Sequence, residues 1–141
     1  MRMANKFNFK PVESKAQQFK KDIPDKLNKQ ALKFFRDSFS RSGWTDDSFS
    51  PWQKRKRNYP HKILLKSGGL KRSIHNTVKT FEKVVIISDL PYSAIHNEGL
   101  MGRAFGKYPF KMPKRQFMGD STKLRKEQQK LVLDTFAKIF N

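Results

Sequence analysis

Three histidines, His61, His75 and His96, are the side chains of this sequence best suited to acid–base or metal chemistry near neutral pH. Zinc needs a closed set of ligands at fixed geometry, commonly offered as closely spaced pairs. These histidines stand far apart, without i,i+4 pairing or a flanking carboxylate cluster. No metal and no other cofactor is expected. His96 and Glu98 are near enough in sequence to suggest an acid–base couple, which is the hydrolase reading open to this chain. The simpler reading puts His96 near the end of a short helix, its ring beside Tyr92 and its charge suiting the helix C-terminus. Ser67-Gly68-Gly69 lacks the GxxxxGK[ST] spacing of a phosphate loop, and its glycines suit a tight turn with positive φ. The absence of cysteine excludes disulfides and thiolate metal sites. No nucleophile–base pair emerges, so no enzymatic activity is expected.

Positive charge is the other chemical resource. The 141 residues carry a formal net charge of +19. From Ser48 to Phe81 there are nine Lys/Arg and no Asp/Glu, and from Gly99 to Gly119 five and none. The first 47 residues hold eleven basic and six acidic groups, closer to a mixed solvated surface. Such a field attracts polyanions at long range and weakens with salt. The candidate DNA- or partner-facing residues are therefore Lys54, Arg55, Lys56 and Arg57, with Lys71, Arg72, Arg103 and Lys107. Trp52, Tyr59 and Phe105 interleave with them and could stack on unpaired bases. No single-strand reader motif is present, so the charge implies proximity to nucleic acid more than sequence readout.

The elements that must hold these residues follow from periodicity. At this length one domain, residues 1–141, is expected, able to bury roughly two-thirds of its unfolded surface. Only 36% of residues are hydrophobic and 13 are Phe, so the core should be small and aromatic. No apolar run is long enough to span a membrane, and the N-terminus lacks the apolar middle of a signal peptide. Residues 1–11 read as an extended arm with Phe7 and Phe9 alternating. Within a helical region over 12–42, Ala16, Phe19 and Ile23 share a face, Pro24 interrupts it, and a second helix, capped by Asp22, runs from about 24 to 40 until Gly43. Trp44 to Pro60 reads as a loop. The sheet region spans 49–119. In it, Ile74, Val78 and Thr80 alternate as a half-buried strand, Phe81 to Lys83 connect a hairpin, and Val84 to Ile87 suit an inner strand covered on both faces. Tyr92 to Asn97 fits a short helix ended by Gly99, 99–112 is a variable, mobile loop, and Pro113 to Met118 returns as a strand. Asp120 or Ser121 then caps a C-terminal helix over 120–141 carrying Leu124, Leu131, Val132, Thr135, Phe136 and Ile139. The expected class is α+β: a small antiparallel sheet with a hairpin, packed by the N-terminal and C-terminal helices on one face.

The motif-rich middle resembles the phage virion morphogenesis, or tail completion, family. Leu65, Ser67-Gly68 and Leu70-Lys71-Arg72-Ser73-Ile74 are similar to that family's [ST]-G-x-L-x-x-S-I element and the leucine before it. Pro91-Tyr92-Ser93-Ala94-Ile95-His96-Asn97-Glu98-Gly99 resembles its P-Y-A-x-x-H-x-x-G, with Ser93 where alanine is common. Pro113-Lys114-Arg115-Gln116-Phe117-Met118-Gly119 matches P-x-R-x-F-[LM]-G, and Trp52 falls where the family often carries tryptophan before a basic loop. The resemblance covers about residues 49 to 141. It implies a structural component of a tailed phage or prophage, completing the tail or joining head to tail as a homo-oligomeric ring around the DNA passage. Partners would be tail-tube, connector or portal-side proteins, with non-specific DNA contact. The location would be the virion, after assembly in the bacterial host cytoplasm. The motif residues Ser67, Gly68, Leu70, Ser73, Ile74, Pro91, Tyr92, Ala94, His96, Gly99, Pro113, Arg115 and Phe117 would shape the fold and not react. The competing reading is a non-enzymatic nucleic-acid-binding protein, either a regulator or a DNA-packaging accessory.

Overall fold

The computed structural model describes residues 4–141, and the part of the expected arm at residues 1–3 lies outside them. After a coil over 4–9, helix α1 runs unbroken from Lys10 to Arg41, with Pro11 in its first turn. Pro24 does not divide it, contrary to the sequence expectation of two helices with an Asp22 cap. A proline removes its own N–H from the helical ladder and crowds the carbonyl four residues earlier, a cost of about 3 kcal/mol that burial can offset. Ile23 and Pro24 are both buried, so packing on either side of the missing bond holds the helix together. The left-handed residue that closes α1 is Ser42, at φ 51°, and not Gly43.

Gly43 instead opens strand β1 (Gly43–Thr45), which pairs antiparallel with β2 (Phe49–Pro51). The segment expected as loop therefore contains a ribbon. Its pairing is local, but its stability comes from Trp44 and Trp52, which are buried against α1. The short helix α2 (Gly69–Arg72) leads into β3 (Ile74–Lys79), paired with β4 (Val84–Ser88) through the expected Phe81–Lys83 connection. Gly68 does take the positive φ expected of a turn there, +72°. Strand β4 is half-buried and pairs with β3 alone, so it is not the inner strand its apolar run suggested.

Helix α3 (Ser93–Glu98) ends at Gly99 in the left-handed region, as expected. The segment expected as a mobile loop after it is a hairpin of β5 (Met101–Ala104) and β6 (Tyr108–Lys111). Residues 113–118 form no strand. Helix α4 (Thr122–Phe140) begins at Ser121, whose Oγ accepts from Leu124 N at 3.2 Å and donates to the Thr45 carbonyl at 2.7 Å. One side chain thus satisfies a free N–H of the first turn and fixes the entry of the chain into the helix.

The class is α+β. Among the described residues the strands form three separate two-stranded antiparallel ribbons and not one continuous sheet. α1 packs on α4, on β1 and on the β3–β4 hairpin. Its buried face (Ala31, Phe35, Phe39) meets Trp44, Trp52, Leu70, Ile74, Phe117 and Leu124 in one cluster. Phe39, Ile74 and Phe117 are fully buried. As the composition implied, the core is aromatic: Phe39 lies edge-on to Trp52 at 5.8 Å and 5.1 Å from Phe117. Among the described residues no helix is long and apolar enough to cross a membrane.

Candidate functional site

The family-like motifs converge on one place, the C-terminal end of α3. The His96 carbonyl accepts from Arg115 N at 2.8 Å. Asn97 Oδ1 accepts from both Phe117 N and Met118 N, at 2.9 and 3.1 Å. These bonds satisfy the N–H groups of Arg115, Phe117 and Met118, so the segment is held without joining a sheet. Gly99 completes the clamp: a Cβ there would lie 2.9 Å from the backbone of Lys114. With the segment held, Phe117 drops into the core against Phe39, and Trp52 of the same cluster donates its Nε1 to the Gln116 carbonyl at 2.8 Å. Sequence reasoning does not single out Asn97, although it sits inside the Pro91–Gly99 motif.

A second hydrogen-bonded set ties the other motif positions together. Ser73 Oγ donates to the Leu70 carbonyl, and the hydroxyls of Ser73 and Ser88 are 2.6 Å apart. Ser88 is in turn bonded to Ser93, which is buried. The chain of hydroxyls joins the end of α2, the end of β4 and the start of α3. Ser93, where alanine is common in the resembled pattern, therefore has a partner for its hydroxyl. Ser67 Oγ accepts from Gly69 N, and a Cβ on Gly68 would press on the Arg72 guanidinium. Leu70 and Ile74 are buried, while Pro91, Tyr92 and Ala94 are exposed on α3 and the turn before it. Pro113 is half-buried at the start of the clamped segment.

His96 does not face Glu98 as an acid–base couple. Its Nδ1 is buried without a hydrogen-bond partner, its ring meets Tyr92 edge-on at 6.1 Å, and Glu98 is exposed. Burial, reinforced by the positive charge of Arg115, holds the His96 pKa below its ordinary value. The ring therefore favours the neutral form, which removes the expected favourable charge at the helix C-terminus.

The basic residues divide into two groups. Lys54 to Arg57, in the loop after β2, are brought against the clamped segment and β6, where a groove is also lined by Lys111 and Arg115. Arg115 is buried, and its Nε and Nη2 donate to the Gln53 carbonyl at 3.1 and 2.9 Å. Arg55 donates to the His61 carbonyl at 2.6 Å and lies over the Tyr59 ring at 5.2 Å. The loop is thus anchored at its base and internally bonded along its length. Lys71 and Arg72 sit on α2, Arg103 on β5 and Lys107 in the β5–β6 turn; none of these four lines the groove. Lys111 and Arg115 are absent from the basic candidates of the sequence, since only the fold brings them beside Lys54–Arg57. Of the three aromatics that could stack on bases, Trp52 is core and cannot, Tyr59 is shared with Arg55 and His61, and Phe105 is 94% exposed.

The β5–β6 hairpin is the other distinctive surface. Met101, Phe105 and Tyr108 are exposed along it, and Phe105 holds the left-handed conformation at φ 54°. A non-glycine residue there costs free energy, so the tight turn that projects the ring is maintained against a local preference.

No curated protein and no solved structure matches this chain. The family model described as the phage virion morphogenesis family matches residues 13–137, from α1 through nearly all of α4. That span includes the α3 clamp, the serine chain and the basic groove, and the chain belongs to the phage virion morphogenesis family.

Proposed function

We propose that this protein is a structural assembly component of a tailed phage or prophage particle, completing the tail or joining head and tail as a ring around the DNA passage. Family membership supports the virion assembly role. The observation that carries the finer reading is the β5–β6 hairpin, with Phe105 94% exposed at its turn and Met101 and Tyr108 exposed beside it. Exposed aromatic anchors of this kind contribute most when a partner surface desolvates them. A hairpin contact to a different patch on the neighbouring subunit is heterologous and closes into a ring when the rotation allows. Partners would be further copies and the tail-tube, connector or portal-side proteins. The excess positive charge, placed toward the lumen, would attract the DNA backbone without reading sequence.

The test is complementation of a phage or prophage lacking this gene with Phe105→Ser/Tyr108→Ser protein, scored by electron microscopy. Unjoined heads and tails, with the variant still folded, are the expected result. Sedimentation of the purified wild type, alone and with tail tubes, reads the oligomer. Intact particles without the gene, together with a protein monomeric under both conditions, would end the proposal.

A further inference from the structure

We propose that the groove between the loop after β2 and strand β6 binds the phosphate backbone of duplex DNA, with Arg55 and Arg115 at its centre and Lys54 and Lys111 on its rim. The inference deepens the DNA-passage part of the reading above and rests on it.

Arg115 is 7% exposed. Its Nε and Nη2 are both directed at one acceptor, the Gln53 carbonyl, and its Nη1 makes no hydrogen bond among the described residues. Arg55 lines the same groove, and burial together with the positive charge of Arg55 lowers the Arg115 pKa. A buried cation normally comes with a counter-charge. Here Lys54, Arg55, Lys56, Arg57, Lys111 and Arg115 line the groove, and no carboxylate does. Among the described residues the four ion pairs lie elsewhere, at Asp25, Asp47, Asp120 and Asp134. The groove is therefore a concentrated positive site with no paired carboxylate among the described residues, suited to an anion from another molecule.

The chemistry favours phosphate diesters. The guanidinium forks of Arg115 and Arg55 are engaged on the Gln53 and His61 carbonyls and supply fixed positive charge, while the exposed lysines reach phosphate oxygens as point charges. A run of four consecutive cations matches a ligand with closely and regularly spaced anions, which DNA supplies along each strand. Phe110, 36% exposed, lines the same groove and offers an apolar face to the sugars. Contacts of cationic side chains to phosphate oxygens position the duplex and carry no sequence information. Anchoring by Arg115 on Gln53 and by Arg55 on His61 holds the loop in shape before the ligand arrives, which reduces the ordering cost of binding.

Full-length protein is titrated with a fluorescein-labelled duplex of about 20 base pairs at several salt concentrations, and log K is plotted against log salt. Lys54 and Lys111 are exposed, so Lys54→Gln/Lys111→Gln removes rim charge without disturbing the core. The double variant is expected to flatten the slope by about 1.8, at roughly 0.9 for each phosphate no longer neutralised. Lys138→Gln, exposed on α4 and outside the groove, is expected to leave the slope unchanged. A wild-type slope in the double variant overturns the proposal, as does equal flattening by Lys138→Gln. A polyglutamate peptide that displaces the duplex at lower charge concentration than unlabelled DNA also overturns it, in favour of an acidic protein segment. Dependence of particle joining on the gene is scored separately. A double variant with the wild-type slope, in a phage whose assembly still requires the gene, removes the groove and leaves the virion role standing.

Discussion

Trp52 Nε1 donates a 2.8 Å hydrogen bond to the carbonyl of Gln116, 64 residues further along the chain. The two residues adjoin the two sides of the basic groove: Trp52 precedes its loop, and Gln116 follows Arg115. The bond therefore sets the spacing between the two walls. The sequence around Trp52 suggests an exposed aromatic of a basic loop, whereas this side chain is the strut that fixes that loop to the core.

Replacing Trp52 separates its two contributions. Trp52→Phe keeps most of the packing on Phe39 but leaves the Gln116 carbonyl without its donor, an expected loss of about 1–3 kcal/mol. Trp52→Ala removes the ring as well and should cost about 3–5 kcal/mol. Denaturant unfolding with unchanged m-values measures both. Equal losses in the two variants would mean that the hydrogen bond, and not the ring, carries the contact.

Ser121→Ala removes an acceptor for Leu124 N and a donor to the Thr45 carbonyl at a residue only 2% exposed. The expected destabilisation is about 1–2 kcal/mol. It should be accompanied by faster amide exchange in the first turn of α4. Ser121→Asp restores the cap but places a charge beside the Thr45 and Asp46 carbonyls, so it should not recover the full loss.

Two glycines with nearly the same φ make an internal control. Gly99 is at +69° and Gly106 at +70°, but only at Gly99 would an added methyl group stand 2.9 Å from other backbone, that of Lys114. Gly106→Ala should cost only the left-handed penalty, about 1 kcal/mol. Gly99→Ala must also displace the clamped segment, and should cost about 2–4 kcal/mol. A smaller loss at Gly99 than at Gly106 would show that the α3 clamp is soft.

The pH dependence of stability carries the signature of His96. Its folded-state pKa is lowered, first by burial and then by Arg115. The unfolded state therefore binds the proton more readily, and stability is expected to fall as pH drops below the ordinary histidine value of about 6.5. The lowered carboxyls of Asp25 and Asp46 act at lower pH: their contributions are present above the ordinary carboxylate value and are lost as pH falls through their folded values. Thermal unfolding at pH 7.5 and 5.5 for wild type and His96→Gln, conditions chosen to straddle about 6.5, reads the difference. The wild type should lose more stability on acidification than the variant, and parallel losses would exclude His96 as the source.

Local chemistry made much of this protein legible in its sequence. The charge imbalance and the aromatic character of the core follow from composition, and the turn at Gly68, the left-handed end of α3 at Gly99, the Phe81–Lys83 connection and the Ser121 cap each depend on residues within a turn or two of one another. Their conformational preferences act before any tertiary contact forms. The family-like motifs were readable for the same reason.

Long-range packing decided the rest. Pro24 signals a break, but burial of the flanking face keeps α1 whole. Trp52 lies in a polar, basic segment, yet Phe39 and Phe117 give it a core site. Pro113 to Met118 has the look of a strand, but the carbonyl of His96 and the side chain of Asn97 take its backbone donors first. The groove also depended on the fold, because Arg115 and Lys111 lie more than fifty residues from Lys54–Arg57 in sequence. No local preference links them. Sequence alone determined how much positive charge the chain carries and which turns it makes. Only the tertiary structure decided where that charge would be concentrated, because the contacts that gather it join residues with no local interaction of their own.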